Sequence, residues 1–145
     1  MPIAITEARS VTFELEHAFA RLMPQLTAGA ARIPRAALEE IIAAPDTTLL
    51  LARDAKGAIV GTLTLVVYRI PSGLYARIES VVVDERARGQ GIGEALCREA
   101  IARARARGAD KIDLTSVPAR TAANRLYVRL GFELRETNAY RLSLR

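Results

Sequence analysis

The stretch Val81-Val82-Val83-Asp84-Glu85-Arg86-Ala87-Arg88-Gly89-Gln90-Gly91-Ile92-Gly93-Glu94-Ala95-Leu96 decides the fold. A β-branched apolar run ends at charged residues, passes three glycines spaced two apart, and continues with apolar residues at helical spacing. The pattern predicts a strand, a tight loop and a helix. Gly89, Gly91 and Gly93 lack the Cβ atoms that would hold a ligand off the backbone, so several N–H groups can converge where the helix begins. A helix start of that kind, with unpaired N–H groups and the positive end of the dipole, suits an anion.

Other loops place glycines between a strand and a helix. A dinucleotide-binding loop reads GxGxxG, whereas Gly89-Gln90-Gly91-Ile92-Gly93 reads GxGxG after Arg88, and no βαβ unit opens the chain. A P-loop would close on Gly-Lys-Ser/Thr, which this loop lacks. The plain alternative is an exposed turn that needs glycine only for positive φ.

The flanking pattern extends the reading. Downstream, Ile92, Leu96, Ala100 and Ala104 share one side of a helix with Cys97 and Ile101, while Glu94 with Arg98 and Glu99 with Arg103 form i,i+4 pairs on the other. Cys97 is thus expected in the core and not as a nucleophile, and Gly108 is expected to end the helix. Upstream, residues 48–53, 58–68 and 75–83 read as strands joined by short turns at 54–57 and 71–73, which predicts an antiparallel arrangement. Residues 111–115 form a further strand, parallel to 75–83 because a helix separates the two. Residues 121–130 read as a helix ended by Gly131, and 132–135 with 139–144 as a closing hairpin. At the other end, residues 3–7 form a short strand. Residues 12–22 form a helix carrying Phe13, Ala18, Phe19 and Leu22 that Pro24 should stop. His17 reads as a solvated side chain of that helix, with a catalytic base as the alternative. Pro34 opens a helix over 34–43, with Leu38, Ile41 and Ile42 inward. The fold class is α/β: a central mixed, mostly antiparallel, twisted sheet of six to seven strands flanked by about four helices, in one domain over residues 1–145.

Composition narrows the function. The chain has 145 residues, half of them hydrophobic, which suits one packed core and not disorder. The net charge of +5 comes almost wholly from arginine, with Lys56 and Lys111 the only lysines. The arginines are scattered and many pair with acids, with no basic run and no aromatic stacking motif, so nucleic acid is not expected as a partner. A single cysteine, Cys97, leaves no internal disulfide or cysteine-based metal site and suits the cytoplasm. No signal peptide is read at residues 1–7, and the longest apolar stretch, 59–67, is too short to span a bilayer.

Arg88-Gly89-Gln90-Gly91-Ile92-Gly93 resembles motif A of the GNAT superfamily, the Gcn5-related N-acetyltransferases, whose pattern Q/R-x-x-G-x-G/A is filled by Arg88, Gly91 and Gly93. Ala123-Asn124-Arg125-Leu126-Tyr127-Val128-Arg129-Leu130-Gly131-Phe132 resembles motif B, A-x-x-L-Y-x-x-x-G-F. The two motifs, in this order, extend the likeness over residues 48–145. The resemblance implies the GNAT fold, acetyl-CoA as cofactor, and a parallel strand pair that splays at the cofactor site. It also implies that the region between the first two helices lines the acceptor pocket. Members are often dimers, so a homodimer is compatible with the resemblance.

Carried over residue by residue, the backbone of Val81, Val82 and Val83 faces the pantetheine arm and the thioester oxygen, and Arg88, Gly89, Gln90, Gly91, Ile92, Gly93 and Glu94 surround the pyrophosphate. Tyr127 holds the position of the motif B tyrosine, which contacts the cofactor and protonates the leaving thiolate; a thiol has a reference pKa of about 8.5 and a phenol about 10. Its plain alternative is a packed helix aromatic. Glu79 lies at even spacing with Val81 and Val83, which predicts one shared face. A carboxylate there could attract an ammonium and relay its proton through water, as in the amino-sugar N-acetyltransferases that the run Ile78-Glu79-x-Val81-Val82-Val83-Asp84 resembles, although Ser80 stands where those have aspartate. Pairing with Arg77 is the alternative for Glu79. Many members carry asparagine seven positions before the tyrosine; that position is Arg120 here, and either Asn124 or Arg120 is left for the contact. The expected activity is transfer of acetyl to a primary amine of a small molecule or peptide, against a non-catalytic acyl-CoA sensor as the competing class.

Overall fold

The computed structural model describes residues 2–145. The chain divides into two compact units, one ending at Thr115 and the other covering Ser116–Arg145. In the first, the element order is β1 (Ala4–Glu7), α1 (Phe13–Leu26), α2 (Arg35–Ala43), β2 (Thr47–Arg53), β3 (Ile59–Ile70), β4 (Gly73–Val83), a 3-10 turn (Glu85–Ala87), α3 (Ile92–Ala106) and β5 (Lys111–Asp113). The strands lie in the order β1-β2-β3-β4-β5, antiparallel throughout except for the parallel pair β4 and β5. The mixed sheet is thus as expected, with short turns between the antiparallel strands and a helix before the parallel one.

The register assigns each side chain to a face, because residues directly opposite in a ladder point the same way. Leu49 and Leu51 of β2 face Thr64 and Thr62 of β3, and Thr62 faces Val82 of β4. On that side Leu49, Leu51 and Val82 join one core cluster with Leu15, Ala18, Phe19 and Leu22 of α1 and Leu38 of α2. On the opposite side lie Gly61, Leu63 and Leu65, and a Cβ built on Gly61 would meet Ile92 and Leu96 of α3 at 3.3 Å each. Helices α1 and α2 therefore cover one face and α3 the other. The buried Thr62 hydroxyl donates to the Leu50 carbonyl at 2.8 Å, so this polar group costs the core little.

Helix α1 is capped by Thr12, whose hydroxyl oxygen accepts from Leu15 N–H at 3.1 Å, with Glu14 and Glu16 in the first turn. Two expectations fail in it. The buried stripe is Leu15, Ala18, Phe19 and Leu22, with i, i+3, i+4, i+7 spacing, and Phe13 at the first position lies off it, 80% exposed. Pro24 does not stop the helix, which runs on to Leu26. Proline forfeits one hydrogen bond there, but Leu22 is buried and Met23 and Leu26 pack on the core, so burial carries the last turn past it. Helix α3 is as expected: Ile92, Leu96, Cys97, Ala100 and Ala104 are buried, and Arg98 pairs with Glu94 at 3.0 Å and Arg103 with Glu99 at 2.7 Å. It ends in a left-handed Gly108, φ 82°, with Ala109 N–H donating to the Ala104 carbonyl at 3.0 Å.

The second unit contains α4 (Thr121–Arg129). The closing hairpin expected at 132–135 and 139–144 is not formed, so among the described residues the sheet has five strands and not six or seven. Leu134, Tyr140, Leu142 and Leu144 are 83–99% exposed. Alternating apolar residues that bury nothing gain no hydrophobic stabilisation to offset the entropy of ordering a strand.

Candidate active site

The parallel pair β4 and β5 is matched only over Tyr75–Arg77 and Lys111–Asp113. β5 ends at Asp113, opposite Arg77, so from Ile78 to Val83 β4 runs toward the glycine loop with no strand paired on that side. Within the same segment β4 bulges against β3. Thr64 lies opposite Glu79 and Thr62 opposite Val82, so Ser80 and Val81 together oppose one residue, Leu63. Ser80 takes the left-handed conformation with φ 52°, where a β-carbon is costly.

The bulge corrects the expected geometry of Glu79. One extra residue reverses the alternation beyond it: Glu79 shares a face with Val82, by way of Thr64 and Thr62, while Val83 joins Ile78 on the other face with Gly61 and Leu65. Even spacing to Val83 therefore does not mean one side. Glu79 also has a neighbour, since Arg77 Nη2 stands 3.1 Å from its Oε1. Ser80→Gly is expected to raise stability by about 1 kcal/mol, by removing the left-handed penalty, read from urea denaturation midpoints. An unchanged or lower midpoint would show that the bulge holds no strain.

After Val83 the chain turns at Asp84, whose carboxylate caps the 3-10 turn by accepting from Arg86 N–H at 3.2 Å. Arg88 Nε donates to the Val83 carbonyl at 3.1 Å, folding this side chain back on the strand end. Gly89 and Gly91 have φ of 81° and 77°, and a Cβ added to either would meet nothing within 4 Å. Glycine is needed for the backbone path, and the space before both is open to a ligand. Gly91 is the N-cap of α3 without a side-chain cap bond, and its carbonyl takes the first intrahelical bond, from Ala95 N–H at 3.0 Å. The N–H groups of Gly91, Ile92 and Gly93 precede that bond, where a helix has no intrahelical acceptor to offer. The Ile92 side chain is buried, so only its backbone can serve a ligand. Glu94 is tied to Arg98. These residues fit a bound pyrophosphate: an open glycine path, a helix start and no side chain in the cap position.

In the second unit, Tyr127 and Phe132 meet edge to face with ring centroids 6.0 Å apart, and Phe132 N–H donates to the Tyr127 carbonyl at 3.0 Å. The motif B glycine and phenylalanine thus close the helix behind the tyrosine, with Gly131 left-handed at φ 103°. Asn124 turns inward on its own helix start: its amide nitrogen lies 2.8 Å from the Arg120 carbonyl and 3.0 Å from the Val117 carbonyl. Arg120 is the N-cap of α4.

The model of the acetyltransferase (GNAT) family matches residues 14–132, most of the chain and parts of both units. The chain belongs to the acetyltransferase (GNAT) family. It is 35% identical to glucosamine 6-phosphate N-acetyltransferase 1 of Oryza sativa subsp. japonica over 103 residues, covering 68% of this chain and 61% of that protein. The chain therefore aligns with less than two thirds of the length of that curated relative. Among solved structures, a transcriptional regulator from Bacillus halodurans C-125 superposes with a TM-score of 0.82 at 30% identity, over 99% of this chain and 100% of the other. The structure of AAC(6')-Iy in complex with the bisubstrate analog CoA-S-monomethyl-acetylneamine has a TM-score of 0.80 at 21% identity, over 99% of each chain. This is an acyltransferase family whose acyl donor is acetyl-CoA.

Within the GNAT domain several residues matter that the sequence did not single out. Arg21 Nε lies 3.0 Å from Asp84 Oδ2, and its Nη2 donates to the Ile59 carbonyl at 2.6 Å. Gln25 Oε1 accepts from Glu85 N–H at 2.8 Å. No local pattern announces bonds across 38 to 63 positions, although an acid at the end of an apolar strand is a signal for Asp84. Burial pushes the Asp84 carboxyl up, but the Arg86 N–H, the Arg21 guanidinium and the Gln25 side chain outweigh it and hold it below its ordinary 3.8. A lowered carboxyl contributes stability above its unfolded value and loses it as pH falls through the folded one. Asp84→Asn is therefore expected to melt lower than the native chain at pH 7, with the gap closing once pH drops below 3.8. A gap independent of pH would assign the loss to shape and not to charge.

His17 is exposed and Cys97 fully buried, in line with the plain reading of each. Burial, with Glu94 nearby, pushes the Cys97 thiol up to about 11, which leaves it inert at neutral pH. Among the described residues no group of three histidine, cysteine or acidic side chains could hold a metal ion, and no helix is long and apolar enough to cross a membrane.

Proposed function

We propose that residues 1–145 form one catalytic domain, an acetyl-CoA-dependent N-acetyltransferase. It acts on a primary amine of a small molecule or peptide by direct attack in a ternary complex. The observation that carries the reading is the open left-handed path through Gly89 and Gly91 into an uncapped helix start, directly after a bulged strand whose last residues are paired on one side only. Acetyl-CoA supplies the acyl group and the thiolate leaving group. The N–H groups at the start of α3 hold the pyrophosphate, and the freed backbone of Val81 to Val83 lies along the pantetheine arm. A backbone N–H there polarises the thioester oxygen. Glu79 attracts the ammonium and takes its proton through water, and the Tyr127 phenol gives a proton to the departing sulfur. Asn124 or Arg120 supplies a further cofactor contact. Since Asn124 already spends its amide nitrogen on two carbonyls of its own helix start, only its Oδ1 is left for that contact.

A small amine is favoured as acceptor over a peptide by the name of the relative at 35% identity, which acts on an amino-sugar phosphate. A cytoplasmic setting, with no nucleic-acid or membrane partner and with a homodimer compatible with the family resemblance, completes the reading. A second reading, a non-catalytic acyl-CoA sensor, is favoured by one observation: the structure at 30% identity bears the name of a transcriptional regulator. The test is thiol release from acetyl-CoA with separate pools of amino-sugar phosphates, aminoglycosides, amino acids, polyamines and peptides. Acceptor-dependent release supports the enzyme. Absence of release from every pool, with coenzyme A still raising the melting temperature, favours the sensor, and absence of both sinks the two readings together.

A further inference from the structure

The N–H groups of the glycine loop can meet an anion in a fixed array only while both ends of the loop are fixed. The far end is α3, fastened by the buried Ile92 and Leu96. The near end has no apolar anchor, because Glu85 and Arg86 are exposed and none of residues 85–87 is buried. Polar bonds hold it instead. Asp84 N–H donates to the Val60 carbonyl at 2.8 Å, and Ala87 N–H to the Asp84 carbonyl at 2.8 Å. Two side chains of α1 tie the near end from outside the loop. Arg21 binds the Asp84 carboxylate and the Ile59 carbonyl with one planar fork, and Gln25, one helical turn on, takes the Glu85 N–H. Gln25 further fixes its own amide on the Arg21 carbonyl at 3.2 Å. It stands in the turn that α1 gains by running past Pro24.

We propose that Arg21 and Gln25 are positioning residues for the cofactor loop, setting through Asp84 and the Glu85 N–H the angle at which the loop N–H groups meet the pyrophosphate. The assignment rests on the reading of that loop as the pyrophosphate site. Neither side chain touches the cofactor. Their work is preorganisation, which lowers the entropy lost when the ligand binds.

Two variants test it. Gln25→Leu keeps the volume of a half-buried surface side chain and deletes the acceptor, so the fold survives; Arg21→Lys keeps the charge and loses the fork. Coenzyme A affinity is measured by calorimetry, amide hydrogen exchange is followed over residues 88–92, and KM for acetyl-CoA is compared with kcat. Each variant is expected to bind coenzyme A about tenfold more weakly, the loss of one to two hydrogen-bond equivalents. Loop amides should exchange faster, with those in the middle of α3 unchanged, and KM should rise by the same factor while kcat stays within about twofold. Native affinity and native loop exchange in Gln25→Leu overturn the inference alone. A native chain that gives no heat with coenzyme A overturns the pyrophosphate reading, and the inference with it.

Discussion

Tyr127→Phe is expected to lower thiol release from acetyl-CoA about a hundredfold or more, the usual weight of a general acid, with coenzyme A affinity close to native. The substitution removes one oxygen and leaves the ring that meets Phe132 edge to face at 6.0 Å. Helix α4 also keeps its closing bonds, since Phe132 N–H donates to a backbone carbonyl. Any large effect therefore reports on the phenol. The physical case is proton demand: a departing thiolate needs a donor, and a phenol is close enough in acidity to a thiol to give its proton and recover it. If rates fall by less than about threefold, Tyr127 is a packing residue and the leaving group is protonated by solvent. If the melting temperature falls in parallel with the rate, the hydroxyl is structural. Measuring affinity, stability and rate on one preparation separates these outcomes.

What could be read in the sequence was what is written in local pattern. The run from Val81 to Leu96 specified strand, loop and helix because β-branched residues, glycines with positive φ and a 3.6-residue apolar stripe are each local signals, and Gly89, Gly91 and α3 lie where they point. The two ion pairs of α3 followed from the same periodicity. The failures also have local causes. Ser80 bears no mark of the bulge, because a serine in a strand is ordinary; only the register with β3 shows that Glu79 and Val83 face opposite ways. Pro24 reads as a stop by propensity, and tertiary burial around Leu22 overrides it. Residues 139–144 alternate as a strand should, yet alternation needs a surface to bury against. The clamp of Arg21 on Asp84 spans 63 positions, and no local pattern marks Arg21 as the partner.

The second large effect is expected at Gly61, which neither motif contains. Its position on β3 lies under the first turns of α3: a Cβ there would stand 3.2 Å from the Val82 carbonyl oxygen and 3.3 Å from both Ile92 Cγ2 and Leu96 Cδ1. The oxygen lies on β4, which is paired to β3 at this point, and Ile92 and Leu96 are buried, so a few tenths of an ångström must be found on both sides and part of the strain falls on the helix. Gly61→Val is expected to cost about 2–3 kcal/mol by overpacking, read from urea denaturation. Because Ile92 begins α3, the displaced residue is also one whose N–H belongs to the proposed pyrophosphate site, so coenzyme A affinity should drop by more than the stability loss explains. Leu38→Ala separates the two effects. It opens a cavity in the cluster on the α1 and α2 face, at a cost of about 2–5 kcal/mol, and leaves α3 seated. A Leu38→Ala protein that is folded at the assay temperature should bind coenzyme A as the native chain does, and Gly61→Val should not. Equal losses of affinity in both would mean that binding follows global stability and that the seat of α3 on Gly61 has no separate part in holding the cofactor.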